Sequence, residues 1–312
     1  MDTWLIISLI APALWAITNL IDVYFVASSY DDEYDGAVIS GFFQLFPWLL
    51  VLIGWQQFHG FGDGSAYLFI GGVCYLLFLF WYFKALFSKN DVALIQLLLN
   101  LAVPVTLILS FAFYREFISG LQFVGGLLIF GGVSVLGFQS SFQWSQIKHL
   151  AFPMGLAVIF LSLSMIFSSK GYDYGHGFFS SYLIYSLGMM ATAAVLLLFK
   201  QKKDSAFIGH LVTLTRNYFG IFLVAEFIGL LGYIFSQRSL DLAPSASLVV
   251  LVECLLPIFI LVFSFFILVF FKITNSHQSL VDEIYRDQLI GYPVKIIATV
   301  LVSLGVYVLS LG

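Results

Sequence analysis

Long apolar runs, each interrupted by only a few polar residues, recur along the whole chain. A run of about 20 mostly apolar residues is long enough to cross the hydrocarbon core of a membrane as a helix. We assign such spans to residues 4–27, 38–58, 66–87, 91–114, 120–138, 150–168, 178–199, 218–240, 243–271 and 289–311. The pattern predicts an all-α integral membrane protein with ten transmembrane helices.

The composition agrees with this pattern and excludes several classes of protein. Of the 312 residues, 61% are hydrophobic and only 10% are charged, against about 25% charged residues in a soluble domain. The formal net charge of -4 gives no basic surface for nucleic acid, so we expect no nucleic-acid partner. The first apolar run lacks a basic flank and is too long for a signal peptide, so we interpret it as the first span.

No motif for catalysis, a metal or a cofactor stands out. Cys74 and Cys254 both fall inside predicted spans, which argues against a disulfide or a metal site. The five histidines show no metal-ligand spacing, and the sequence has no P-loop, dinucleotide-binding glycine fingerprint or GxSxG elbow. We therefore expect neither an enzyme nor a bound cofactor.

Two of the spans share one feature, a polar side chain four residues before a proline. Asn100 precedes Pro104 in this way, and Glu253 precedes Pro257. Each proline removes a backbone hydrogen bond, so it would act as a hinge, expose carbonyl groups to a cavity or form a passive kink. We interpret the two spans as equivalent helices of an internal repeat.

The repeat predicts how the chain is organised in the membrane. We expect two repeats of five helices, residues 1–140 and 147–312. Five is an odd number, so the second repeat enters the membrane upside down. Inverted repeats of this kind place a pseudo-two-fold axis in the membrane plane and a substrate site near the midplane between the repeats.

The distribution of Lys and Arg predicts the orientation. Ten of the 13 lie towards the face opposite the termini, and the most basic loop spans residues 200–216. Because Lys and Arg favour the cytoplasmic side, this count alone places both termini outside.

Glu253 is the strongest candidate for a functional residue. A charged residue in mid-span costs about 2.5–3.5 kcal/mol on insertion scales and usually faces a cavity or a partner. Glu253 would bind a cationic substrate group or carry a coupling proton, unless it is a protonated structural residue. Asn100 would hydrogen-bond the substrate or serve only as a contact between helices. Glu226, well inside the eighth span, is a second candidate for proton coupling.

Other polar side chains within the spans are predicted to line the same cavity. Three of them, Trp15, Asn19 and Asp22, share one helical face of the first span, although Asp22 lies near its end and would equally suit an interfacial position. The remaining candidates are Gln44, Gln96, Tyr185, Tyr233 and Gln237.

Several of these motifs resemble those of a known family. Residues 13–16 of the first span, Ala93 followed by the Pro104 segment, and Glu116 followed by residues 122–126 resemble the EamA-type carriers of the drug/metabolite transporter superfamily. The resemblance implies a ten-span fold of two inverted five-helix repeats and secondary transport of small metabolites, often export. Glu116 marks the family, and we interpret it as a helix-end or gating residue.

Two features depart from the family's pattern. Val269 stands where the second repeat would carry the counterpart of Glu116. The family usually keeps its termini in the cytoplasm, contrary to the charge count.

These observations predict a secondary carrier in the plasma or inner membrane. It would move a small polar or amphipathic metabolite by alternating access, as a monomer or homodimer within the lipid bilayer, with a proton as the candidate coupling ion. Two alternatives stay open, a flippase of the same fold for lipids or hydrophobic compounds and a non-transporting membrane scaffold.

Overall fold

Apolar sequence with few helix-breaking residues forms helices along most of the chain in the computed structural model. The structure describes residues 3–54, 58–88, 95, 98–115, 118–137, 144–175, 177–274, 292–309 and 311. Within these ranges the protein is all-helical and contains no strand. The all-α class predicted from the apolar runs is therefore confirmed.

Thirteen helices are present in the described ranges. The first half of the chain forms α1 (Thr3–Ser28), α2 (Glu33–Phe43), α3 (Phe46–Leu52), α4 (Ser65–Leu86), α5 (Ala102–Tyr114) and α6 (Gly120–Gly137). The second half forms α7 (Trp144–Tyr172), α8 (Phe178–Lys203), α9 (Phe207–Asn217), α10 (Phe219–Leu242), α11 (Ala246–Glu253), α12 (Leu256–Thr274) and α13 (Tyr292–Leu309).

Many of these helices are suited to a membrane. Seven segments of the described chain are long and apolar enough to cross one, namely Thr3–Ser28, Glu33–Leu52, Ser65–Leu86, His149–Tyr172, Phe178–Lys203, Phe219–Leu242 and Ala246–Phe266. Ala102–Tyr114 and Gly120–Gly132 are shorter apolar helices. The seven candidate spans indicate a multi-pass membrane protein.

Two of the predicted spans are interrupted by a turn shortly before a proline. Residues 100–101 form a turn at the start of α5, and residues 254–255 form a turn between α11 and α12. Pro104 and Pro257 follow these turns within four residues. A proline has no N–H to donate and its ring clashes with the carbonyl group four residues earlier, so regular helix geometry fails there.

The second predicted span is also broken, whereas other prolines leave their helices intact. A turn at residues 44–45 separates α2 from α3, and Pro47 follows it near the start of α3. Pro12 in α1 and Pro153 in α7 lie within continuous helices. The breaks are therefore features of particular spans and not of every proline-containing helix.

The helix α4 lies in the interior, packed along α7 and α8. Gly72 in α4 faces the carbonyl oxygen of Tyr185, and Gly188 in α8 faces the carbonyl oxygen of Phe69. A methyl group at either glycine would overlap the opposing backbone. Glycine therefore lets the backbones of α4 and α8 touch, as small residues do between helices in membranes.

The helix α9 departs from the sequence pattern, which indicates a loop at residues 200–216. In the structure, α9 is packed against α8 and α10, and its His210 reaches the start of α2. The imidazole Nε2 of His210 lies 3.1 Å from the buried Asp35 carboxylate, and Nδ1 lies 3.4 Å from that of Asp31. These contacts fix α9 across the end of the helix bundle.

Candidate functional site

A cavity lies at the centre of the bundle, where both proline-associated turns meet α1, α4 and α10. Its empty space is about 770 Å³, counting the opening to solvent. It is lined by Trp15, Thr18, Asn19, Asp22, Tyr75, Phe78, Leu79, Tyr82, Leu99, Asn100, Ala102, Leu161, Tyr233, Val250, Glu253, Cys254 and Leu256.

The structure brings six of the residues singled out from the sequence to this cavity. They are Trp15, Asn19, Asp22, Asn100, Tyr233 and Glu253. The first three lie on α1 at spacings of four and three residues, which keeps them on one face of the helix. Asp22 thus lines the cavity together with the residues that precede it on α1.

The two turns carry Asn100 and Glu253 to the cavity from the two halves of the chain. Each stands four residues before a proline, where the helix hydrogen bond to its carbonyl group is lost. The carbonyl oxygen of Asn100 instead accepts a 3.1 Å bond from the N–H of Val103, which closes a tight turn. Asn100 is only 4% exposed, so its side chain is held inside the protein.

Four buried polar atoms on cavity-lining residues have no hydrogen-bond partner within the described ranges. Two belong to donors, the indole nitrogen of Trp15 and the amide nitrogen of Asn100, and two are acceptors, the amide oxygen of Asn19 and Oε1 of Glu253. Most buried polar groups in proteins are paired, and an unpaired one costs about 1–3 kcal/mol. The cavity thus offers donors and acceptors to a polar ligand or to water.

Aromatic rings form one wall of the cavity. The ring of Tyr75 lies 6.4 Å from Trp15 and 5.2 Å from Tyr233, and Trp15 lies 6.0 Å from Tyr233. Clustered aromatic faces attract cations and apolar groups. The sequence reasoning missed Tyr75, Phe78 and Tyr82, although their spacings of three and four residues would have placed them on one face of the third span.

The cavity is lined by acidic side chains and by no basic ones. Asp22 and Glu253 are its acidic residues, and the described lining contains no Lys, Arg or His. A cleft lined by one sign of charge concentrates ions of the opposite sign. In their ionised form the two carboxyl groups therefore favour a ligand with a positively charged group over an anion.

Glu226 lies outside this lining. It is buried in α10, and its Oε1 accepts a 2.8 Å hydrogen bond from the hydroxyl group of Ser40 in α2. Glu226 stands seven residues, or two helical turns, before Tyr233, so the two side chains share a face of α10 at different depths. Glu226 thus links the second and eighth spans and does not itself line the cavity.

The remaining polar candidates also lie outside the lining. Gln237 accepts a 3.2 Å hydrogen bond from the hydroxyl group of Tyr172, and Gln44 accepts one of 3.0 Å from Tyr182. Tyr185 is fully buried in α8. Gln44 and Gln237 serve packing between helices in this structure.

Four further candidates have other positions. Pro104 and Pro257 follow the turns and do not line the cavity. Gln96 and Glu116 lie outside the described residues. Among the residues that are described, no group of three or more His, Cys, Asp or Glu side chains could hold a metal ion.

Comparisons with known proteins identify a shared fold without a family. No family model matches the chain, and no curated protein matches it. A solved structure described only as "Crystal structure of protein" covers 99% of this chain and 96% of its own, with a TM-score of 0.62 and 15% identity. In all, 28 solved chains match. At 15% identity the likeness shows the overall fold alone.

Proposed function

We propose that this protein is a secondary transporter that moves a small polar or amphipathic metabolite by alternating access. The observation that carries the proposal is the central cavity, to which Asn100 and Glu253 come from helix breaks in the two halves of the chain. A membrane protein gains nothing structurally from burying unpaired polar groups at its centre. A polar substrate that forms hydrogen bonds with these groups would explain why they are buried there.

The pattern of helix packing supports two inverted five-helix repeats. In this arrangement α1 corresponds to α7, α2 to α8, α4 to α10, α5 to α11 and α6 to α13. The pair α4–α7 then corresponds to the pair α10–α1, and both pairs are closely packed. Three other equivalent pairs pack on each other, α2 on α8, α5 on α11, and α6 on α13. Exchanging the two halves leaves these contacts unchanged, as a two-fold axis requires.

The number of apolar helices supports ten spans. Seven segments are long enough to cross a membrane, and two shorter apolar helices match the predicted fourth and fifth spans. The helix α13 (Tyr292–Leu309) matches the predicted tenth. We therefore retain the ten-span arrangement and, from the sequence motifs, the assignment to EamA-type carriers of the drug/metabolite transporter superfamily.

The lining of the cavity supports a substrate with a positively charged group. Asp22 and Glu253 are its acidic residues among those described, and aromatic rings of Trp15, Tyr75 and Tyr233 stand beside them. Carboxylates pair with ammonium groups, and aromatic faces attract them. Amines and cationic amino acids fit this chemistry, whereas phosphorylated metabolites and organic acids would be repelled.

Coupling to protons is part of the proposal, because the carboxyl groups of Glu226 and Glu253 lie within the spans. Glu253 is at the cavity, where a proton and a substrate cation would compete for the same oxygen atoms. Glu226 is bonded to Ser40 and does not line the cavity, so it would exchange protons without touching the substrate. Glu253 is therefore the stronger candidate for the coupling residue.

The cavity weighs against the alternative functions. A non-transporting scaffold would be expected to have a packed centre, without empty space beside unpaired polar atoms. A flippase for hydrophobic compounds would need a wholly apolar pathway, whereas carboxyl and amide groups stand among the apolar and aromatic residues of this cavity.

Reconstitution of the purified protein into liposomes tests the proposal. We expect saturable uptake of at least one amine or cationic amino acid, changed by an imposed proton gradient, and none of phosphorylated metabolites or organic acids. Liposomes without protein give the background. Transport of anions alone, or no transport across a panel of amines, amino acids, sugars and nucleosides, would count against it.

A further inference from the structure

A second, apolar groove lies between α2 and α9, apart from the central cavity. Its empty space is about 1180 Å³, counting its opening to solvent. We call it the α2–α9 groove and define it by Val38 and Phe42 of α2, Val212 and Arg216 of α9, and Phe219 of α10. Arg216 is the only charged residue in its described lining.

The helix α9 places this groove at a membrane surface. Eleven residues, or about 16 Å, are too few to cross a membrane. The helix joins the end of α8 to the start of α10, both of which are candidate spans. Its Phe207 and Leu214 are buried against the protein, whereas Ile208 and Val212 are 45% and 62% exposed. Such an amphipathic helix is suited to the interface between headgroups and acyl chains.

The groove is held open by contacts that fix α9 on the start of α2. The imidazole of His210 lies between the carboxylates of Asp31 and Asp35, at 3.4 Å and 3.1 Å. The side chain of Asp35 is fully buried, so the contact is anchored in the protein and not in solvent. The two walls of the groove are thus positioned independently of any ligand.

The exposed side chains of the groove match the two parts of a phospholipid. Phe42 and Phe219 are 40% and 57% exposed, and large apolar side chains in such positions are covered by acyl chains in a bilayer. Arg216 is exposed and makes no ion pair with any residue in the described ranges. A guanidinium group presents paired donors that suit a phosphate group.

We propose that the α2–α9 groove binds an anionic phospholipid, with one acyl chain along Val38, Phe42 and Phe219 and the phosphate on Arg216. The charge of the lining favours an anionic headgroup over a zwitterionic one. The carboxylate of Asp35, three residues before Val38, is buried against His210, so it offers no free partner for a choline group. A juxtamembrane cation near an anionic lipid surface contributes about 1 kcal/mol.

Lipid titration of the purified protein in neutral detergent tests this site. We expect phosphatidylglycerol to raise the unfolding temperature more than phosphatidylcholine with the same acyl chains. Arg216→Gln should bind phosphatidylglycerol about fivefold more weakly and phosphatidylcholine unchanged, and Arg216→Lys should keep most of the preference. The matched control is Lys202→Gln, at the nearby end of α8 outside the groove, which should keep the full preference.

A second variant fills the groove and leaves its charge intact. Val212→Trp should weaken binding of both lipids, measured by native mass spectrometry at equal lipid concentration. The proposal is overturned if Arg216→Gln keeps the full preference for phosphatidylglycerol or if Val212→Trp binds both lipids normally. Equal stabilisation by glycerol phosphate, which has no acyl chains, would overturn the groove as a lipid site. If Arg216→Gln does not fold, the Val212→Trp and Arg216→Lys results decide.

Discussion

The side-chain amide of Asn19 donates a hydrogen bond to the hydroxyl oxygen of Tyr82, and the two residues line the same cavity. The bond joins α1 to α4. It uses the amide nitrogen of Asn19, whose amide oxygen has no hydrogen-bond partner among the described residues. It therefore orients one of the groups that we propose to bind substrate.

Removing this bond should weaken substrate binding with little loss of fold. We expect Tyr82→Phe to lose about 1 kcal/mol of stability, the net contribution of one hydrogen bond, and to bind substrate several-fold more weakly. Asn19→Ala should have a similar effect. The double variant should show less than the sum, because the two residues act through one interaction. Additive losses in binding free energy would contradict this coupling.

Neutralising Glu253 should abolish most transport. Losing a hydrogen bond to a charged group costs about 1.5–3 kcal/mol, so Glu253→Gln should reduce affinity for a cationic substrate by about 10- to 100-fold. Thermal unfolding should show that the fold is retained, because a neutral side chain of similar shape occupies the site. The control is Asp173→Asn, which neutralises an exposed carboxylate paired with Lys170; transport by this variant should be normal.

Glu226 should behave differently, because it lies outside the cavity lining. Glu226→Gln keeps an acceptor for the hydroxyl group of Ser40, so we expect unchanged substrate affinity. Glu226→Ala removes the acceptor and should destabilise the protein by about 1–3 kcal/mol. Substrate titration and thermal unfolding of the two variants separate these effects. A large loss of affinity in Glu226→Gln would instead assign Glu226 to the substrate site.

The helix breaks should be needed for transport and not for stability. Pro257 is the second residue of α12, where a proline is tolerated because the first N–H groups of a helix have no partner within it, so Pro257→Ala should leave stability nearly unchanged. Its restored N–H would let α11 and α12 continue as one helix and would move Glu253, so transport should fall. Pro153→Ala in the continuous helix α7 is the matched control. Equal transport by both variants would show that the break has no role.

Neighbouring glycines of α6 should respond oppositely to substitution. A methyl group on Gly132 would lie 2.9 Å from the carbonyl oxygen of Ala298 and 2.7 Å from Val302, whereas Gly131 faces open space. We expect Gly132→Ala to cost about 1–3 kcal/mol by overpacking the contact with α13. Gly131→Ala should be neutral or slightly stabilising. Unfolding in detergent measures both, and equal stability of the two variants would contradict this packing.

The sequence was informative where a residue type carries a strong local consequence. Proline four residues after Asn100 and Glu253 indicates a hinge or kink in the helix, and the structure has a turn at each place. The i, i+4, i+7 spacing of Trp15, Asn19 and Asp22 indicates a shared face, and all three line the cavity. Both rules act within one helix, so they need no knowledge of its neighbours.

Other features depend on contacts that no local pattern contains. Gln237 and Glu226 share the polar character of Tyr233, yet they bond to Tyr172 and Ser40 of other helices. Helical spacing predicts the side of the helix on which a residue lies. It does not predict which neighbouring helix packs against that residue at its depth in the membrane. The helix α9 is hard to predict from the sequence, because basic residues flank it and its apolar face is short.

The contact between α4 and α8 has a mechanical consequence. A layer of side chains between two helices can slide or rotate by changing rotamers, but Gly72 and Gly188 bring the backbones together without such a layer. Neither helix can move past the other unless the pair first separates. The two helices therefore move as one rigid unit. Changes of shape around the cavity are expected instead at the turns, residues 100–101 and 254–255, where the regular helix hydrogen bonds are interrupted.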